Sequence, residues 1–97
     1  MAKTPAEALS LADRVAIVTG AGGGLGHAIC DSLAAAGATV IAAGRTQASL
    51  DDTVALVSSH GGNVAARVCD ISKPDEVAAL MQSVAEEFGR IDILVNT

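Results

Sequence analysis

The sequence predicts an α/β protein built on a parallel β-sheet, and three observations predict it. Short runs rich in valine and isoleucine alternate with longer stretches of helical period, giving the order β-α-β-α-β-α-β across 97 residues. The runs "VAIV", "VIAA" and "ILV" are apolar along their whole length, as strands covered on both faces must be. A cluster of glycines separates the first run from the first helical stretch. Parallel strands joined in this way take right-handed crossovers.

The elements follow in order. "RVAIVTG", Arg14 to Gly20, is a β-branched run stopped by glycine and reads as a buried strand. Leu25, Ile29 and Leu33 then recur every four residues among alanines, marking one helical face, and Gly37 is a natural stop. "ATVIAAG" is the second strand. Thr46 is placed to cap a helix whose apolar face is Leu50, Val54 and Val57, ending at Gly61 and Gly62. "NVAARVCD" is a third strand of weaker composition. Ser72 and Asp75 fit the Ser-x-x-acid capping pattern, with Pro74 in the first turn. Val77, Leu80, Met81, Val84 and Phe88 keep a helical period up to Gly89, and "IDILVN" closes the series as a fourth strand.

Composition removes several function classes. The chain is long enough for one small domain, and at 51% hydrophobic it has the apolar residues to fold. A net charge of −5 argues against a nucleic-acid partner, which a basic face would serve. Phe88 is the only aromatic residue, so no base-stacking platform is available. Cys30 and Cys69 read as small buried hydrophobes in a reducing compartment rather than as a disulfide. No metal-ligand spacing joins them to His27 and His60. Both histidines read as surface or capping residues, since neither has a plausible catalytic partner in the sequence. The start of the chain, "MAKTPAEALSLADR", has no apolar core of a secretory signal, and no run is long enough for a membrane span. A cytoplasmic location without a membrane partner is expected.

The chemistry lies in "VTGAGGGLGH", Val18 to His27, which places five glycines in ten residues. A helix N-terminus offers unpaired N–H groups and a partial positive charge, which favour an anion such as a pyrophosphate. Glycines let a phosphate approach the backbone without meeting a Cβ. A P-loop is excluded, because no lysine lies between Lys3 and Lys73. The Gly-x-Gly-x-x-Gly register fails at Leu25 or at His27. The spacing that fits is Thr19-Gly20-x-x-x-Gly24-Leu25-Gly26.

In that arrangement the chain closely resembles the N-terminal half of the short-chain dehydrogenase/reductase family. Four features match in order: "TGAGGGLG", Thr19 to Gly26; "AAGR" at the end of the second strand; "CDI", Cys69 to Ile71; and "GRIDILVN", Gly89 to Asn96. The resemblance implies a partial Rossmann-type doubly wound sheet of strand order 3-2-1-4. On this reading residues 1–13 are an N-terminal extension and 14–97 an incomplete NAD(P)-binding domain. Thr19 belongs to the cofactor loop, Gly20, Gly24 and Gly26 line the pyrophosphate, and the Leu25 amide lies nearby. Asp70 accepts a hydrogen bond from the adenine amino group, Ile71 contacts the ring, and Asn96 holds the end of the fourth strand beside the cofactor. Thr97 stands where the family usually has a second Asn.

An NAD enzyme places an acid at the end of the second strand to bind the ribose. Gly44 occupies that position here and Arg45 follows, so NADP(H) is favoured over NAD(H). The resemblance further implies hydride transfer between a carbonyl and an alcohol, using a Tyr, a Lys four residues later and a Ser. The chain contains no Tyr, so no catalytic residue is assigned within it. It reads as the cofactor-binding fragment of an oxidoreductase whose full-length form is a homo-oligomer, inactive by itself. A non-catalytic NAD(P)-sensing module, or half of a split fold completed by another chain, are the alternatives.

Overall fold

The computed structural model describes residues 10–97. The strands are β1 (Val15–Thr19), β2 (Thr39–Gly44), β3 (Asn63–Val68) and β4 (Ile93–Asn96). The helices are α1 (Gly24–Ala35), α2 (Gln47–Ser59) and α3 (Pro74–Phe88). All neighbouring strands are parallel, in the order β3-β2-β1-β4. Both the element order and the strand order are those expected.

Side chains of a strand alternate between faces, and the core divides accordingly. Ala16 and Val18 of β1 join Val40 and Ala42 of β2 under α1 and α2, through Cys30, Ala34, Leu50 and Val57. Val15, Ile17, Ile41 and Ala43 face the other way, onto Leu80 and Val84 of α3. Full burial of Ile17, Ile41 or Leu50 contributes about 1.5–3 kcal/mol each. β3 is an edge strand and only half-buried, which explains its weaker composition. Cys30 and Cys69 are free thiols buried on opposite faces of the sheet, so they cannot pair. Burial pushes the Cys30 thiol up to about 11. It also raises Cys69, with Glu76 and Asp70 adding to the effect.

Three local expectations are corrected. The buried face of α1 is Gly26, Cys30 and Ala34, not Leu25, Ile29 and Leu33. Ile29 and Leu33 flank the contact, while Leu25 is 68% exposed. On α2 the buried position between Leu50 and Val57 is Thr53, and Val54 lies to the side. Thr46 and Lys73 are the N-cap residues of α2 and α3, and neither side chain makes a cap bond. The Ser72–Asp75 box is therefore absent. Ser72 instead donates its N–H and hydroxyl to the Asp70 carboxylate. Gly37 and Gly89 leave α1 and α3 at φ of +104° and +79°, the left-handed conformation that glycine adopts without strain.

The expected N-terminal extension lies outside the described residues up to residue 9. From residue 10 the chain is held against the fold: the Leu11 N–H donates to the Ala36 carbonyl at 2.7 Å, and Leu11 packs on the α1–α2 face of the core. No helix among the described residues is long and apolar enough to cross a membrane.

Asp92 sets the register of β4. Its N–H donates to the Val15 carbonyl, and its carboxylate accepts the Val15 N–H, both at 2.9 Å. Arg90 binds the same carboxylate through two bonds of 2.7 Å, with Arg14 3.6 Å away. These contacts, the Arg90 bonds foremost and then Val15, lower its carboxyl from the ordinary 3.8 to about 2. A depressed folded-state value stabilises above the unfolded value and ceases to do so as pH falls through the folded one. Asp92→Asn is therefore expected to lower the Tm at neutral pH and to flatten the loss of stability between pH 3.8 and about 2. Thermal melts of both proteins across that range check this; parallel pH profiles would contradict it.

Candidate functional site

The C-terminal ends of the strands and the N-terminus of α1 meet at one edge of the sheet. Gly20 follows β1 at φ +64°, in the left-handed region. A Cβ there would also collide with the Thr97 side chain. The Gly23 N–H donates to the Gly20 carbonyl at 3.2 Å, and Gly23 caps α1. No acidic residue lies in the first turn of α1, so its free amides and partial positive charge are not offset locally. A Cβ on Gly26 would lie 2.7 Å from the Ala21 Cα, so α1 approaches the loop backbone to backbone.

Two clefts adjoin this turn. One, of about 170 Å³, is bounded by Gly20, Gly22, Gly23, Gly44, Arg45, Thr46, Ser49 and Leu50. The other, of about 280 Å³, is bounded by Gly20, Gly44, Arg45, Cys69, Asp70, Ile71, Ser72 and Thr97. Gly20, Gly44 and Arg45 are common to both. Arg45 is exposed and enters no ion pair among the described residues. A Cβ on Gly44 would press on the wholly buried Leu50 at 3.2 Å, and one on Gly22 would lie 2.6 Å from the Ser49 Cβ. A side chain at 22 would force Ser49 to shift, and one at 44 would require the end of Leu50 to give way by a few tenths of an ångström.

The candidate residues gather at this edge unequally. Gly20, Arg45, Asp70 and Ile71 border the clefts. Ile71 is 48% exposed. The bonds from Ser72 hold the Asp70 carboxyl below the usual carboxylate range, and Arg45 and Lys73 add to this. The Asp70 N–H donates to the Glu76 carboxylate at 3.0 Å. Gly24 begins α1 facing open space. Leu25 projects beside it, and Gly26 is buried against the loop rather than in a cleft. Thr19 is buried, and its hydroxyl lies 2.7 Å from Asn96 Oδ1, so these two side chains fasten β1 to β4. Thr97 donates its hydroxyl to the Thr19 carbonyl at 2.6 Å.

His60 is exposed and is the C-cap residue of α2, as expected, and each histidine also has a side-chain partner that the sequence did not reveal. His60 Nδ1 lies 2.8 Å from the Asp31 carboxylate, an exposed contact between α2 and α1. His27 Nδ1 lies 2.8 Å from the buried Thr53 hydroxyl. Thr53 was concealed in the sequence because threonine on a helix gives no apolar signal. Its only trace is the spacing of three from Leu50 and four to Val57.

The family model for short chain dehydrogenases matches residues 14–97. The short-chain reductase protein NovJ of Streptomyces niveus is 41% identical over 84 residues, covering 87% of this chain and 32% of its own length. An uncharacterized oxidoreductase of Staphylococcus saprophyticus is 36% identical over 90 residues, covering 92% and 38%. Among solved structures, a putative short-chain dehydrogenase/reductase from Burkholderia xenovorans superposes with a TM-score of 0.87 at 43% identity, over 90% of this chain and 36% of that one. A metagenomic short-chain oxidoreductase solved in complex with NADP gives 0.84 at 36% identity, over 87% and 38%. The chain thus belongs to the short-chain dehydrogenase/reductase family. It spans about a third of the length of these relatives.

The backbone contact under Gly26 has a measurable cost. Gly26→Ala is expected to destabilise the fold by about 1–3 kcal/mol, because the new methyl group meets backbone that cannot rotate away. Gly24→Ala, where a Cβ meets nothing within 4 Å, should leave the Tm unchanged or raise it. Denaturant unfolding of the two variants checks the contrast; equal stabilities would refute the close approach.

Proposed function

We propose that this chain is the cofactor-binding part of an NADP(H)-dependent oxidoreductase that interconverts a carbonyl and an alcohol by hydride transfer. The observation that carries the reading is the exposed Arg45 guanidinium at the junction of two clefts, without an ion pair among the described residues and beside Gly44, where an acid would favour NAD(H). The NADP complex of the metagenomic relative supports the same cofactor class.

The residues present fit such a ligand. The amides of the glycine loop and of the first turn of α1 hold the pyrophosphate, and Gly24 leaves its approach open. Arg45 takes the 2′-phosphate, with the hydroxyls of Thr46 and Ser49 bordering the same cleft. Asp70, kept ionised by Ser72, accepts from the adenine amino group, and Ile71 lies against the ring. Thr19 and Asn96, bonded to each other, hold the end of β4 beside the cofactor. When bound, the nicotinamide supplies or accepts the hydride. The Ser, Tyr and Lys implied for proton transfer come from outside these 97 residues, which contain no Tyr. The greater length of the relatives supports this division. The buried free thiols fit a reducing compartment, and the cytoplasm is the proposed location.

Removing the Arg45 guanidinium deletes a charge-assisted pair worth about 1.5–3 kcal/mol. Arg45→Ala is accordingly expected to lower the ratio of NADPH to NADH affinity by about 10- to 100-fold, read by parallel titrations of the two dinucleotides. An unchanged ratio would show that Arg45 does not read the phosphate. The chain alone is expected to give no change in NADPH absorbance with a panel of aldehydes and ketones; reproducible turnover by a preparation free of other enzymes would overturn the division of labour proposed here.

A further inference from the structure

Behind the glycine loop stands a side chain that the proposed cofactor contacts do not use. Thr53 lies in the middle of α2 and is wholly buried. Its Oγ1 is 2.7 Å from the Ala21 carbonyl oxygen and 2.8 Å from His27 Nδ1. The Ser49 carbonyl, one turn back on its own helix, is 3.4 Å away. A threonine within a helix commonly turns its hydroxyl to that preceding carbonyl. Here that contact is the longest of the three.

Proton counting fixes the arrangement. A carbonyl oxygen only accepts, so the 2.7 Å contact takes the single hydroxyl proton. The hydroxyl oxygen then meets His27 as an acceptor, and His27 Nδ1 must carry a proton of its own. Ala21 is wholly buried, and its N–H donates to the Ala43 carbonyl at 3.0 Å. Both polar groups of Ala21 are thus tied, one to the end of β2 and the other to α2.

The Ala21 carbonyl shares a planar peptide unit with the Gly22 N–H. In a trans peptide these two groups point in opposite directions. A carbonyl drawn towards Thr53 therefore turns the Gly22 N–H away from Thr53, and Gly22 is one of the residues that border the 170 Å³ cleft. Glycines at 20, 22, 23 and 24 leave this stretch few steric preferences of its own, so the direction of that N–H needs an external hold.

We propose that Thr53, completed by the Nδ1–H of His27, is a positioning residue that aims the Gly22 amide at the phosphates of the dinucleotide. This rests on the reading of the cleft as a cofactor site. It differs from the role of Arg45 in acting on a part shared by NADPH and NADH.

Thr53→Val keeps the shape and removes the hydroxyl. It is expected to weaken NADPH and NADH about tenfold and equally. Thr53→Ser should restore both affinities, which a merely space-filling role for threonine would not require. In the unaltered chain, nitrogen-15 NMR should find His27 protonated at Nδ1, and the Gly22 amide should shift strongly on addition of NADPH. These two signals decide the matter should Thr53→Val prove too unstable to titrate. Equal binding by Thr53→Val, a bare Nδ1, or an unmoved Gly22 amide would each overturn the role of Thr53. Absence of binding by the unaltered chain would instead overturn the cofactor reading, and this role with it.

Discussion

The close approach of α1 to the turn after β1 is the constraint on which the site depends. Gly26 lies over Gly20 and Ala21 with no side chain between them, and Cys30 and Ala34 continue the same narrow face onto the sheet. A helix seated that close brings its amide-bearing end over the ends of β1 and β2. The loop that spans the gap is then short enough to be tied by single contacts from its neighbours. A bulkier residue at position 26 would lift α1 and open the turn, and the clefts on either side of Gly20 and Gly44 would lose their common wall.

The two faces of the sheet are closed to different degrees. α1 and α2 share one face, and the packing there extends to Ile93 and Val95 of β4. α3 alone serves the other, leaving Leu94 57% exposed. An apolar trough of about 190 Å³ runs beside it, bordered by Thr19, Ile71, Val77, Met81, Leu94 and Asn96. β4 is thus held less by burial than by polar fastenings at its two ends: Asp92 on Val15 at one, and Asn96 and Thr97 on Thr19 at the other.

Element order, strand type and the glycine loop were legible because they follow from periodicity and from glycine's distinctive placement. The buried face of α1 was not. Hydrophobic periodicity selects Leu25, Ile29 and Leu33, whereas a helix that must touch backbone selects its smallest residues. Thr53 was invisible for a related reason, since a buried hydroxyl is justified only by partners distant in sequence. The Ser72–Asp75 box failed because α3 starts one residue later, with Lys73 as its N-cap, and because Asp70 takes the Ser72 N–H that the acid of the box would accept. Arg45, Asp70 and Ile71 were found through motif order and do border the clefts. Gly26 and Thr19, found in the same way, hold the walls.

Pairing of β1 with β4 joins residues 77 positions apart, from Val15 to Asp92. Loop closure over such a span is entropically slow compared with the nearer pairings of β1 with β2 and β2 with β3. On a ribosome, where the N-terminal part emerges first, three strands are available before the fourth. β1, the most deeply buried strand of the sheet, is then for a time a naked edge. Its run Val15-Ala16-Ile17-Val18 carries no charge and no proline, a composition suited to capture by another nascent chain. The two bonds between Asp92 and the Val15 backbone end that interval by covering the edge.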